Sequence, residues 1–148
     1  MAGTRKATAA EPDGFSAEER AAMKERAKEV RASKRGPKVD PEQELLARVA
    51  ELPEAERTIA ERIHAIVRQS APDLAPKLWY GMPSYARGGK VVLFFQPASK
   101  FDTRYSTLGF NDLAALDDGS MWPTAYALTK LTQADEKRIG DLVRRAAG

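Results

Sequence analysis

The run from Lys90 to Gln96 is the most apolar stretch of the chain, and it constrains the fold more than any other segment. Its apolar side chains occur in both alternating sets of strand positions: Val91, Leu93 and Phe95 in one set, Val92 and Phe94 in the other. A strand with one face in water alternates apolar and polar residues, so this run predicts a strand covered on both faces. The Gly88-Gly89 pair before it favours a type I′ turn, which predicts a hairpin with an earlier strand over residues 82–87.

Helical patterns lie on both sides of this hairpin in the sequence. Ser16 and Glu19 fit a capping box that begins a helix over residues 17–34, whose few large apolar residues predict that it frays or docks weakly. Helices over about 41–52 and 53–70 each begin at a proline, and the second carries apolar residues at three- and four-residue spacing. We expect that apolar face to pack against a sheet.

Two further strands and a final helix complete the predicted fold. The strands are predicted over 104–110 and 121–128, with a short helix over 111–116 between them and a capped helix over 133–146. Residues 71–76 carry two prolines and are predicted to be a connector. A run of strands flanked by helices is typical of an α+β fold, here one mainly antiparallel sheet packed by N- and C-terminal helices.

Charge is unevenly distributed along the chain, whose net charge is +3. Residues 1–40 hold ten Lys or Arg and seven Asp or Glu, whereas residues 41–148 hold fourteen of each. We therefore predict a flexible basic tail with one weak helix over 1–40 and a neutral α+β domain over 41–148. Nucleic-acid binding needs basic charge clustered on a folded face, so no nucleic-acid partner is expected.

Several functional classes lack the residues that they need. The chain has no cysteine, which excludes disulfides, thiolate nucleophiles and cysteine-ligated metal centres. It has one histidine and neither a nucleophile motif nor a phosphate-binding loop, so a cofactor-free enzyme is the least favoured hypothesis. No apolar segment approaches the ~20 residues of a membrane helix, and no secretory signal is recognisable, so we expect a cytoplasmic protein without a membrane partner.

An aromatic set is the strongest candidate for a binding surface. It consists of Trp79, Tyr80, Met82 and Tyr85 around the hairpin and Trp122 further along the chain. Such side chains line apolar pockets or partner grooves, with the Tyr hydroxyls and Trp N–H groups as polar contacts. The alternative is that they belong to the core, as aromatic residues at strand spacing usually do. The sequence leaves both alternatives open.

The segment WYGMPSY at residues 79–85, followed by Gly89-Lys90 and an apolar strand, resembles the YdhG-like family of small domains of unknown function. The resemblance covers about 45–148 and implies a frataxin-like layout, with helices on one face of an antiparallel sheet. It implies a cytoplasmic binding or chaperone-like module with an unknown protein or small-ligand partner. One member of that family is described as a frataxin-like iron chaperone, so the resemblance also implies weak iron binding through oxygen ligands.

The carboxylates of the second proline-opened helix are the residues on which iron binding depends. Glu54, Glu56 and Glu61 are the candidate metal ligands, and no other cofactor is expected. Arg57 and Arg62 lie among them and would neutralise an acidic ridge. The alternative is a solvated helix face, in which these charges complement the helix dipole and form intrahelical ion pairs.

Overall fold

The computed structural model describes residues 15–34 and 39–148 of the chain. It confirms the predicted α+β class, with a five-stranded antiparallel sheet and helices from both ends of the chain. The parts of the predicted basic tail at 1–14 and 35–38 lie outside the described residues. No helix within the two described ranges is long and apolar enough to cross a membrane.

The strands form a meander in which each strand pairs antiparallel with the next one along the chain. The strands are β1 (Ala75–Trp79), β2 (Met82–Arg87), β3 (Lys90–Gln96), β4 (Ser106–Phe110) and β5 (Ala125–Leu128). The helices are α1 (Ala17–Lys34), α2 (Pro41–Ala50), α3 (Glu54–Ser70), α4 (Ala98–Phe101) and α5 (Gln133–Ala147). Elements that are adjacent in the sequence are therefore adjacent in the sheet, as is usual for short connections.

Two hairpins of the meander close on two-residue turns with left-handed backbone. Gly88 and Gly89, between β2 and β3, have φ values of 58° and 83°, which confirms the predicted hairpin. The turn between β1 and β2 has the same form, with φ values of 54° at Tyr80 and 77° at Gly81. A positive φ is uncommon for a residue other than glycine, so contacts around Tyr80 must hold it there.

The segment at residues 71–76 carries two prolines and was predicted to be a connector. Its last two residues instead begin strand β1. Pro76 lies within β1, which is an edge strand and needs hydrogen bonds on one side only. Pro83 lies at the second position of β2, opposite Leu78, and the pairing with β3 begins one residue later at Ser84. The missing N–H of Pro83 therefore falls outside the ladder between β2 and β3.

The predicted short helix over 111–116 is wrong, since this segment has no regular secondary structure. Its backbone groups bind other parts of the fold instead; the N–H of Asn111, for example, donates to the carbonyl oxygen of Val92 at 2.9 Å. Tertiary hydrogen bonds here take the place of a helical ladder. The strand predicted over 121–128 is shorter than expected, because β5 begins after Pro123.

The main core lies between the inner face of the sheet and the helices α2, α3 and α5. The sheet contributes the buried side chains Tyr85, Leu93, Phe95, Leu108 and Phe110. The apolar face predicted on the second proline-opened helix is confirmed, with Ile59, Ile63, Ile66 and Val67 of α3 buried. Full burial of a side chain such as Phe95 contributes about 2–3 kcal/mol through the apolar area removed from water. This core closes one face of the sheet.

Helix α1 covers part of the outer face of the sheet. Trp79 and Met82 lie opposite each other on β1 and β2, and the rings of Trp79 and Phe94 contact with centroids 5.3 Å apart. Ala22 of α1 is buried beside these side chains. Strand β3 therefore has Leu93 in the core and Phe94 beneath α1, which confirms the prediction that both of its faces are covered.

The close contact between Gly109 and the Phe94 ring provides a test of this outer-face packing. A Cβ atom at Gly109 would overlap the ring, so we predict that Gly109→Ala lowers the free energy of unfolding by about 1–3 kcal/mol. Gly140→Ala in α5 is the matched control, because its new Cβ would make ordinary contacts at 3.6–3.8 Å. That control is expected to be neutral or to stabilise by up to about 1 kcal/mol. Urea denaturation measures both, and equal effects would contradict the packing described here.

Candidate binding site

The structure brings together three members of the aromatic set. Trp79, Tyr80 and Met82 line one cleft between α1 and the outer face of the sheet. Tyr85 lies on the other side of the sheet, where its side chain is 0% exposed in the core. Trp122 is half-buried and packs against that same core. Three of the five residues therefore line a cleft, while the other two belong to the core or pack against it, and binding of a ligand or partner by the first three stays a prediction.

We call this space the aromatic cleft, and its volume is about 380 Å³. The sheet contributes Trp79, Met82, Phe94 and Gln96, the turn and α4 contribute Tyr80 and Phe101, and the N-terminal segment contributes Phe15, Glu19, Ala22 and Met23. Most of these side chains are aromatic or contain methionine sulfur. Such a lining favours apolar and aromatic groups, because it offers a large polarisable surface and few competing hydrogen bonds.

Trp79 is the centre of the aromatic packing. Its ring lies 5.0 Å from that of Tyr80 in an edge-to-face arrangement and 5.3 Å from that of Phe94 in a tilted one. The guanidinium of Arg26 lies 5.9 Å from the Tyr80 ring centroid, within the range of a cation–π contact. Each aromatic pair contributes about 0.5–1.5 kcal/mol beyond its buried area, so the wall of the cleft is held in place without a ligand.

Three residues that line the cleft carry polar groups without a hydrogen-bond partner among the described residues. The indole N–H of Trp79, the hydroxyl of Tyr80 and the side-chain amide of Gln96 make no hydrogen bond to another described residue. All three belong to half-buried side chains. A few polar groups in an otherwise apolar lining are what orient ligands in known pockets.

Glu29 of α1 binds the turn between β1 and β2. Its two carboxylate oxygens accept hydrogen bonds from the backbone N–H groups of Tyr80, at 3.1 Å, and Gly81, at 3.0 Å. Hydrogen bonds to an ionised carboxylate are stronger than neutral ones. This contact supplies the constraint that holds Tyr80 in its left-handed conformation, and it fixes α1 at one rim of the cleft.

Glu25, one turn earlier in α1, binds two cations. Its carboxylate lies 3.1 Å from the guanidinium of Arg48 in α2 and 2.8 Å from the ammonium of Lys100 in α4. Partial burial raises the pKa of Glu25, but the hydrogen bond from Lys100 and the charge of Arg48 outweigh it, and the net pKa lies below the ordinary value. A Cβ atom at Gly81 would collide with all three groups, so the glycine makes room for this ion cluster.

Tyr85, His64 and Glu42 form a hydrogen-bonded chain that runs from the core to the surface. The Tyr85 hydroxyl lies 2.9 Å from Nδ1 of His64, and Glu42 lies 2.8 Å from Nε2 of the same ring. Burial, together with the charge of Glu42, raises the pKa of Tyr85 well above its ordinary value. Because its hydroxyl is buried in the core, Tyr85 cannot contact a substrate. The chain of groups instead ties α2 and α3 to β2.

The predicted metal ligands do not converge. Glu56 accepts hydrogen bonds from the backbone N–H of Ser99, at 3.1 Å, and from its hydroxyl, at 2.6 Å. Glu54 and Glu61 are exposed on another side of α3, given about 3.6 residues per turn. Among the residues that the structure describes, no group of three or more His, Asp or Glu side chains is arranged to hold a metal ion. Iron binding at these carboxylates stays a prediction, and their arrangement does not favour it.

Several residues that line the cleft are not predicted from the sequence. Phe94 lies in the apolar run, and its alternation with Leu93 and Phe95 was the one signal that it faces away from the main core. Met23 and Phe101 belong to α1 and α4, and no periodicity in the sequence indicates where those two helices dock. The cleft exists only because segments distant in the sequence meet above the sheet.

The buried Tyr85 hydroxyl predicts a specific loss of stability at high pH. Its raised pKa means that the unfolded chain deprotonates first as the pH passes the ordinary value of 10.0, so stability falls from there upward. We expect Tyr85→Phe to reduce the slope of the free energy of unfolding against pH by up to about 1.4 kcal/mol per pH unit in this range. Tyr105→Phe, at an exposed tyrosine, is the control and should keep the wild-type slope. Identical slopes in the two variants would contradict the assignment.

Comparisons with known proteins give no relative from which a function could be transferred. No protein-family model, curated protein or solved structure matches this chain. The resemblance of residues 79–85 to the YdhG-like motif therefore stays a prediction. The candidate site is defined by its geometry, as an apolar cleft flanked by two anchored carboxylates of α1.

Proposed function

We propose that this chain is a cytoplasmic binding module, without enzymatic activity, that holds an apolar group in the aromatic cleft. The apolar group belongs to a small ligand or to a protein partner. The observation that carries this proposal is the cleft itself, a space of about 380 Å³ lined by aromatic and methionine side chains. Pockets for small ligands typically have volumes of about 300–1,000 Å³ and are lined mainly by apolar side chains.

Burial of apolar area would supply most of the affinity. A bound group that buries about 150 Å² of apolar surface gains about 4 kcal/mol at 25 cal/mol per Å². Part of this gain is offset by the freedom that the ligand loses on binding. We therefore expect a small apolar molecule to bind with a Kd of about 1 mM or weaker, and larger ligands that bury more area and also reach the polar groups to bind more tightly.

The polar groups in the lining favour a ligand with a hydrogen-bond acceptor near its apolar part. The Trp79 indole N–H is a donor only, whereas the Gln96 amide and the Tyr80 hydroxyl both donate and accept. An acceptor placed beside Trp79 therefore finds a donor without having to displace an existing protein hydrogen bond. The expected ligands are therefore aromatic or aliphatic molecules that carry a carbonyl, ether or hydroxyl group.

A charge placed in the lining of the cleft should weaken the binding of an apolar dye. Met23 is 37% exposed and lines the cleft, so Met23→Glu is expected to weaken binding of N-phenyl-1-naphthylamine by about tenfold or more. Met121→Glu is the matched control, since Met121 is 88% exposed outside the cleft and the chemical change is identical. Titration followed by dye fluorescence measures both variants and the wild type.

Circular dichroism and thermal unfolding establish that both variants keep the wild-type fold before the titrations are compared. Wild-type affinity in Met121→Glu together with loss of affinity in Met23→Glu supports the aromatic cleft as the binding site. Equal affinity in all three proteins, or no dye binding to the wild type at saturating dye, contradicts the proposed function.

A further inference from the structure

The apolar side chains of helix α1 make little contact with the surface on which the helix docks. Among the described side chains of α1, Ala22 alone is buried, and the larger residues Met23 and Val30 are 37% and 36% exposed. The aromatic cleft lies directly beside Ala22. A methyl group covers little of the surface that Trp79 and Phe94 present there. The apolar contribution to α1 docking is therefore small.

The polar contacts of α1 are, in contrast, closely matched to the surface beneath it. We call this surface the carboxylate receptor, defined by the side chains of Arg48 and Lys100 and the backbone N–H groups of Tyr80 and Gly81. These four groups come from α2, α4 and the turn between β1 and β2. They bind two carboxylates that are four positions apart on one helix, which places both on the same side of it.

The groups of the carboxylate receptor lie on elements outside α1, including the β1–β2 hairpin and α2, whose Leu45 and Val49 are buried in the main core. The turn that carries both N–H groups is closed by the pairing of Trp79 with Met82, and Glu29 adds the contact that holds Tyr80 in its left-handed conformation. Without a carboxylate from α1, Lys100 and the two backbone N–H groups would lose the partners described above, and Arg48 would keep its 3.7 Å contact with Glu51. Such a combination selects helices with carboxylates on one side and an apolar residue nearby.

We propose that this surface docks an acidic amphipathic helix of a protein partner, which displaces α1. The partner helix carries carboxylates at positions i and i+4, equivalent to Glu25 and Glu29, and a large apolar residue at i−3, where α1 has Ala22. That larger side chain enters the aromatic cleft, so the inference rests on the proposed function in this one respect. Helix α1 is then an internal, weaker version of the ligand.

Two effects set the balance between α1 and a partner helix. Helix α1 is linked to its surface, which gives it an effective concentration of about millimolar order. Its ion pairs are partly exposed, with side-chain exposures of 17–32%, so salt and water weaken them to some extent. A partner with leucine in place of Ala22 gains apolar burial that α1 lacks, and it overcomes the advantage of the linked helix once its own affinity is in the micromolar range.

Labelled peptides and the full-length chain test the inference. The full-length protein used in the test carries the substitutions Glu25→Gln and Glu29→Gln, which loosen its own α1. The labelled peptides copy residues 15–34. We expect the peptide with Ala22→Leu to bind this chain at least about tenfold more tightly than the unchanged peptide in fluorescence anisotropy. The peptide with Ala21→Leu is the matched control, because Ala21 is exposed on α1, and it should bind like the unchanged peptide.

Two further arms test the carboxylates and the competition with α1. Adding Glu25→Gln and Glu29→Gln to the Ala22→Leu peptide should weaken its binding by at least about tenfold, because four charge-assisted contacts are lost. The wild-type chain should bind the Ala22→Leu peptide at least about tenfold more weakly than the loosened chain, because its own α1 occupies the surface. Near-UV circular dichroism verifies that the loosened chain keeps its core.

The inference is overturned if the peptide with Ala22→Leu binds the loosened chain no more tightly than the peptide with Ala21→Leu. It is also overturned if removal of the two carboxylates from the Ala22→Leu peptide leaves its affinity unchanged. The dye titration separates this failure from failure of the proposed function. Dye binding in the aromatic cleft without peptide binding overturns the helix-docking inference and leaves the proposed function standing. Absence of both dye and peptide binding overturns both.

Discussion

The turn at Tyr80 and Gly81 is the constraint on which the outer face of this protein depends. Its left-handed backbone joins β1 to β2 so tightly that Trp79 and Met82 lie opposite each other at the base of the aromatic cleft. The same turn presents two N–H groups to Glu29 of α1. The missing side chain at position 81 leaves space for the ion cluster that Glu25 of α1 forms with Arg48 and Lys100. Hairpin geometry, cleft and helix docking are therefore fixed by one pair of residues.

The two faces of the sheet have different physical characters. The inner face is closed by buried aliphatic and aromatic side chains from α2, α3 and α5, and this packing supplies most of the apolar burial. The outer face is covered by a helix that buries one alanine and is held by carboxylates. Because the main core and the aromatic cleft lie on opposite faces, a change in what covers the outer face would leave the contacts of the main core in place.

Much of the fold could be predicted from the sequence, whereas the site could be predicted only in part. The hairpin at Gly88-Gly89, the amphipathic α3 and the capped α5 were predictable because local pattern and turn chemistry agree with the final structure. Strand β1 was missed because Pro76 is compatible with a strand only at a sheet edge, and edge position is a tertiary property. Trp79, Tyr80 and Met82 were predicted as lining residues, whereas the lining residues from α1 were not. The apolar periodicity of α1 is too weak to reveal the surface that this helix contacts.

The contacts of α1 connect residues that are far apart in the chain. Glu25 binds Arg48 and Lys100, and Glu29 binds the turn at residues 80–81. During synthesis from the N-terminus, α1 is complete before any of these receiving groups has left the ribosome. An isolated helix of this length is marginal in water, so its capping box is the main local support it has in that interval. Helix α1 is thus made early and docks late, after the hairpin that receives it has formed.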